Sequence, residues 1–167
     1  SLRGQYGPLS IRETPQPSIS SRAFLAALSE LGFQIGDFNG ASQRNVGGLM
    51  QLNIEPDGSR CSAAQAFLGE PLPSNLFIEL STEIASLAMN GSCCKGVNLS
   101  DGRYISADHT ILSAGAFLSP AILMLSGIGD PSILSSYGID CHVPNQNVGK
   151  NLSDHMRVPI AYQSTDS

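Results

Sequence analysis

Apolar positions change their spacing several times along this chain, and each change marks a different element. In residues 18–31 they fall at Phe24, Leu25, Leu28 and Leu31, the spacing of an amphipathic helix, with Ser18 or Ser20 as N-cap and Gly32 as the stop. Ahead of it, Tyr6-Gly7-Pro8-Leu9-Ser10-Ile11 reads as a turn entering a short strand with outward Arg12 and Glu13, and prolines end that strand by Pro17. Behind it, Gly36-Asp37-Phe38-Asn39-Gly40 is a loop, Gly47-Gly48 precedes a strand over 49–54, and Asp57-Gly58 reverses the chain. A second helix is expected over 62–68, stopping before Pro71 and Pro73.

The pattern then switches to alternation. Leu76, Ile78 and Leu80 alternate with Phe77, Glu79 and Ser81, and the run continues through Ile84 to Met89, where Asn90-Gly91 signals a hairpin turn. Strands over 95–99 and 103–106, joined at Asp101-Gly102, complete a β-meander. Residues 109–114 form a short apolar run without alternation, as in a strand covered on both faces in a parallel sheet. Ser119-Pro120 then opens a helix to Leu125, with Ser as N-cap and Pro at N1, and Gly127 and Gly129 end it. A short helix over 131–137, closed by Gly138, and a strand over 139–143 follow. The result is a mixed α/β chain.

Composition narrows the function. Of 167 residues 41% are hydrophobic and only 14% charged, against roughly 25% charged in an average domain, which excludes disorder and long solvated faces. Nine Lys plus Arg are scattered singly in a chain of net charge −5, so no basic stripe awaits nucleic acid. Residues 110–129 carry no charge, yet Gly115, Pro120 and Gly127 break them, and a buried strand, turn and helix is expected in place of a membrane segment. Cys61, Cys93, Cys94 and Cys141 make no C-x-x-C pair and no metal spacing with the histidines. The opening Ser1-Leu2-Arg3-Gly4 has neither initiator Met nor signal-like run and reads as a piece of a longer chain. N-x-S sequons at Asn90, Asn98 and Asn151 barely exceed chance.

No G-x-G-x-x-G, Walker loop, H-E-x-x-H or G-x-S-x-G occurs. His109, His142 and His155 are far apart, and only Asp154-His155 offers a carboxylate near an imidazole, as sequence neighbours that rarely serve each other. One unit does stand out: Ile111-Leu112-Ser113-Ala114-Gly115-Ala116 leading to Ser119-Pro120. Small residues at the carboxyl end of a parallel strand admit a flat ligand or another backbone, so this unit is either a nucleotide-binding turn or a packing turn.

Gly115-Ala116-x-x-Ser119-Pro120-x-Ile122-Leu123-x-x-Ser126-Gly127-Ile128-Gly129 resembles the second signature of the glucose-methanol-choline oxidoreductases at every fixed position. Val148-Gly149-Lys150-Asn151-Leu152-Ser153-Asp154-His155 is similar to the segment that follows it in that family. Tyr6-Gly7-Pro8-Leu9, Asp37-Phe38-Asn39-Gly40, the helix start at Gly58-Ser59-Arg60-Cys61-Ser62 and Asn75-Leu76 fall in family order.

The resemblance implies part of a Rossmann-like FAD-binding domain over 35–167 and part of an antiparallel substrate-binding domain over 1–34. It implies FAD as cofactor and an alcohol, choline or sugar as the CH-OH donor of the parent enzyme. Ile84 would offer its amide to the adenine, and Ala114 and Gly115 would approach the adenosine. Family members carry a G-x-G-x-x-G unit and a catalytic His with an Asn or His partner, and none of the three histidines here matches that motif. No catalytic residue and no metal ligand is therefore assigned. The rival readings are a truncated, non-catalytic relative serving as an interaction module, and an independent nucleotide-binding module, for which a phosphate loop is missing.

Overall fold

Residues 4, 6–40, 45–69, 71–156, 158–161 and 163 are described by the computed structural model. The opening Ser1-Leu2-Arg3 lies outside them. Two compact units divide between Phe77 and Ile78.

In the first unit, helix α1 (Ile19–Glu30) starts where its cap dictates: the Ser18 hydroxyl accepts from the Ser21 amide at 3.1 Å. Such a cap satisfies one orphan amide and contributes about 1 kcal/mol. Leu31 closes the helix and Gly32 turns the chain at φ +84°. Leu25 and Leu28 lie over the parallel pair β2 (Gln34–Ile35) and β3 (Val46–Gly47). A Cβ on Gly47 would stand 2.7 Å from Leu28 Cδ1, so the missing side chain is what lets helix and strand meet. β1 (Arg12–Glu13) pairs antiparallel with β4 (Gln51–Leu52). The strand expected over 49–54 is thus only two residues long, matching its two-residue partner, with one further bridge between Ile54 and Arg60. α2 (Ala63–Leu68) begins at Ser62, whose hydroxyl accepts from the Gln65 amide at 3.1 Å. Cys61 is buried beside it and takes the Ser10 amide on its sulfur at 3.3 Å. A hydrogen bond with Glu55 pushes its thiol pKa up, which makes it an inert core group.

The second unit is built on the expected meander. β5 (Ile84–Asn90), β6 (Cys93–Leu99) and β7 (Tyr104–Ser106) run antiparallel in that order. Its hairpins use the two turn signals, with Gly91 at φ +58° and Gly102 at φ +88°. The Asp101 carboxylate steadies the second turn, accepting from the Arg103 amide at 3.0 Å and from Arg103 Nε at 2.7 Å. Helix α3 (Gly115–Leu125) lies against β5. β8 (Ile128–Gly129) pairs parallel with β9 (Val143–Pro144), and α4 (Pro131–Ser136) lies between them in sequence. Leu87, Leu99 and Leu134 are buried here together with Ser126. No described helix is long and apolar enough to cross a membrane, and the uncharged stretch 110–129 contains an 11-residue helix followed by β8.

Four expectations need correction. Residues 76–80 form no strand, because no described residue pairs with them; Phe77 is 91% exposed and the ladder starts only at Ile84. Residues 109–114 also form no strand: a parallel strand exists only between neighbours, and the described residues supply none. Ile111 is accordingly 87% exposed. Ile84, where that ladder starts, pairs with Leu99 of β6. Helix α3 begins at Gly115 and not at Ser119, with Pro120 inside it. The Ser119 hydroxyl reaches back to accept the Ala114 amide at 3.0 Å, and Gly115 at φ +84° makes the bend from which one further helical turn winds. Finally, β9 begins only at Val143, because the amides of His142 and Val143 both bond first to the Gly127 carbonyl, at 2.8 and 3.1 Å.

The meander tolerates no side chain at Gly96. A Cβ there would stand 2.0 Å from the Ile105 carbonyl oxygen at φ +144°, whereas one on Gly91 meets nothing within 4 Å. In the intact protein Gly96→Ala is expected to cost about 3 kcal/mol or more and Gly91→Ala about 1 kcal/mol. Urea midpoints of the two variants check this, and equal losses would mean that the β6–β7 ladder yields freely.

Candidate functional site

Ala114 and Gly115 sit together at the mouth of α3. The Ala114 amide is already held by Ser119 Oγ, so the bend is fixed by the chain's own hydrogen bond. Gly115 is exposed, and the space a Cβ would occupy is open to at least 4 Å. The first turn of α3 carries no side-chain cap. The bend thus presents bare backbone at the positive end of an 11-residue helix, a surface that suits the close approach of a flat or electron-rich group. Ile84 is half-buried and opens β5, on a different element.

The two elements are joined further along, at Ser126, a fixed position of the signature whose hydrogen bonds the sequence does not disclose. Ser126 is 5% exposed; its Oγ accepts the Leu87 amide of β5 at 2.7 Å and donates to the Ile122 carbonyl of α3 at 2.5 Å. Its place in the signature, closing an uncharged helix just before a G-x-G, is the sequence signal that points to it. Beyond Ser126 the chain doubles back tightly, and a Cβ on Gly127 would lie 2.3 Å from the Asp140 carbonyl oxygen. A cleft of about 360 Å³ beside this junction is lined by Ser86, Asn98, Asp140 and His142, among others.

The histidines form no catalytic pair. Asp154 accepts the backbone amide of His155 at 2.7 Å, so that carboxylate orients main chain and not an imidazole. Among the described residues no imidazole nitrogen has a hydrogen-bond partner.

A family model for GMC oxidoreductases matches residues 3–157. The chain belongs to the GMC oxidoreductase family. An oxygen-dependent choline dehydrogenase of Rhizobium meliloti (strain 1021) is 36% identical over 169 residues, covering 98% of this chain and 30% of the relative. Among solved structures, pyridoxine 4-oxidase from Mesorbium loti superposes with a TM-score of 0.71 at 31% identity, over 84% of this chain and 29% of that one. A formate oxidase of Aspergillus oryzae RIB40, studied for modification of its FAD, gives a TM-score of 0.72 at 28% identity, over 90% of this chain and 27% of that one. This GMC chain spans about three tenths of the length of the relatives it matches.

The signature region also carries an ionisable cap. Asp130 accepts from the Ser132 hydroxyl at 2.7 Å and amide at 3.0 Å, and Lys150 Nζ stands 3.3 Å away. The Ser132 hydroxyl above all, then its amide and Lys150, hold the Asp130 carboxyl below the usual carboxylate range. A depressed folded-state pKa gives stability that is complete above the unfolded value and is lost as pH falls through the folded one. Asp130→Asn keeps a capping side chain but cannot titrate. The stability gap between wild type and Asp130→Asn is expected to be constant down to about pH 5 and to shrink below about pH 4. Denaturant titrations across that range test this, and a gap that stays constant into strong acid would remove Asp130 from the acid response.

Proposed function

We propose that this chain forms the adenosine-side wall of an FAD site in a longer GMC oxidoreductase that oxidises the CH–OH group of a small alcohol, with choline and related alcohols as the substrate class. The observation that carries the reading is the Ala114-Gly115 bend: held by Ser119, bare at Gly115, and opening on the N-terminal end of α3. Those residues fit the group, since a purine or ribose face needs an approach to backbone that any Cβ would obstruct. When bound, FAD supplies the hydride acceptor. This chain's part is to bind and orient: Gly115 and Ala114 approach the adenosine, and Ile84 offers main chain from the start of β5 while its side chain stays half-buried. In this reading residues 1–34 contribute to the substrate-binding domain and 35–167 to the FAD-binding domain of the longer protein, although the chain's own compact units divide after Phe77. No residue of the chain is given a proton-transfer role.

Positive φ strains any side chain at Gly115, so a control must share that strain. Gly138 provides it: its φ is +70°, an added Cβ would meet nothing within 4 Å, and it lies at the end of α4. In the longer protein, Gly115→Ala and Gly138→Ala are each expected to cost about 1 kcal/mol of stability, and only Gly115→Ala to lower the bound FAD per protein. Flavin absorbance against thermal midpoint decides it. Equal flavin content in both variants would make the bend a packing turn.

The 167 residues expressed by themselves are expected to be colourless and poorly soluble. They contain no G-x-G-x-x-G to hold a pyrophosphate, and Ile111, Phe117 and Leu118 around the bend are 87%, 74% and 62% exposed. An absorbance spectrum of the purified chain and a peroxide assay with simple alcohols check this; a soluble yellow species that turns over would overturn the assignment of catalysis to other segments.

A further inference from the structure

We infer that Ser126 is a positioning residue for the cofactor site: its hydroxyl sets the placement of Gly115 relative to Ile84 although it touches neither. The inference rests on the adenosine reading above. β5 is the edge strand of its sheet, and Leu87 directs its amide away from β6 to Ser126 Oγ. That amide is buried, so without the hydroxyl it would be an orphan donor, and the contact between helix and strand would be left to apolar groups that have no directional preference.

The same oxygen donates to Ile122, so it is fixed to α3 as firmly as to β5. Ile84 lies three residues before Leu87 on β5, and Gly115 begins the 11-residue helix whose last turn holds Ile122. A helix of that length is about 16 Å long, so a tilt at its Ser126 end is carried past Pro120 to Gly115 as a displacement. Ser126 is thus the one point at which a side chain links the strand carrying Ile84 to the helix carrying Gly115 by hydrogen bonds, among the described residues.

The test uses the full-length protein stripped of flavin and titrated separately with ADP, which carries the adenosine and pyrophosphate of the cofactor, and FMN, which carries its flavin and one phosphate. Ser126→Ala is expected to weaken ADP about tenfold while FMN affinity stays within about twofold, and Ser126→Thr, which keeps the hydroxyl, is expected to restore ADP affinity. Faster hydrogen exchange at the Leu87 amide should accompany the loss in Ser126→Ala. Equal weakening of ADP and FMN would show a merely structural role, and unchanged ADP affinity would overturn the inference outright. Should Ser126→Ala fail to fold, Ser126→Cys keeps the volume with a weaker hydrogen bond and must show a smaller ADP-specific loss, the same overturning result applying. Gly115→Ala in the same titrations separates the two ideas. If it weakens ADP and the Ser126 variants do not, only the positioning role falls; if it leaves ADP unchanged, the adenosine reading itself falls.

Discussion

The second unit turns on the hydrogen bond from the Leu87 amide to Ser126 Oγ. Helix α3 lies against β5 and carries no charged residue, and apolar side chains give attraction without register. A buried amide at an edge strand changes that, because it must find a partner at one defined point. Ser126 supplies the partner and returns its own proton to Ile122, so the hydroxyl is fully used at 5% exposure. The residues that follow depend on this placement. Gly127 passes too close to Asp140 for any side chain, its carbonyl collects the amides of His142 and Val143, Gly129 packs on buried Leu134, and Asp130 caps α4.

Signals that act over a few residues were legible in the sequence. Ser18, Ser62 and the Pro131 start of α4 declare their helices because a cap needs only its own next turn, and Asn90-Gly91 and Asp101-Gly102 declare hairpins for the same reason. Strands whose existence depends on a distant partner were not. The alternation over 76–80 and the apolar run over 109–114 are compatible with strands, yet pairing is a property of two segments and no described segment answers them. The start of α3 was misplaced because Ser-Pro is a common helix opening, whereas here Ser119 spends its hydroxyl on Ala114 behind it.

The candidate site divides along the same line. Gly115 was visible as a bend because glycine at a helix start has a local meaning, and its φ of +84° makes that bend although no strand precedes it among the described residues. Ser126 was legible as a signature position but not in its role, since its partner, the Leu87 amide, is brought to it across 39 residues. Asp154-His155, read in sequence as neighbours that rarely serve each other, has its carboxylate on a main-chain amide.

What the signature region encodes is therefore geometry. Gly115 and Gly127 act through the absence of a side chain, Ser119 and Ser126 through hydrogen bonds to main chain, and Asp130, just beyond the signature, through a helix cap. None of these roles depends on what is oxidised. A scaffold built this way can be kept while the reacting groups around it change, and relatives named for choline, pyridoxine and formate superpose on or align with this same stretch. Matching the signature therefore fixes a frame of backbone bends and hydrogen bonds, and nothing in that frame names a substrate.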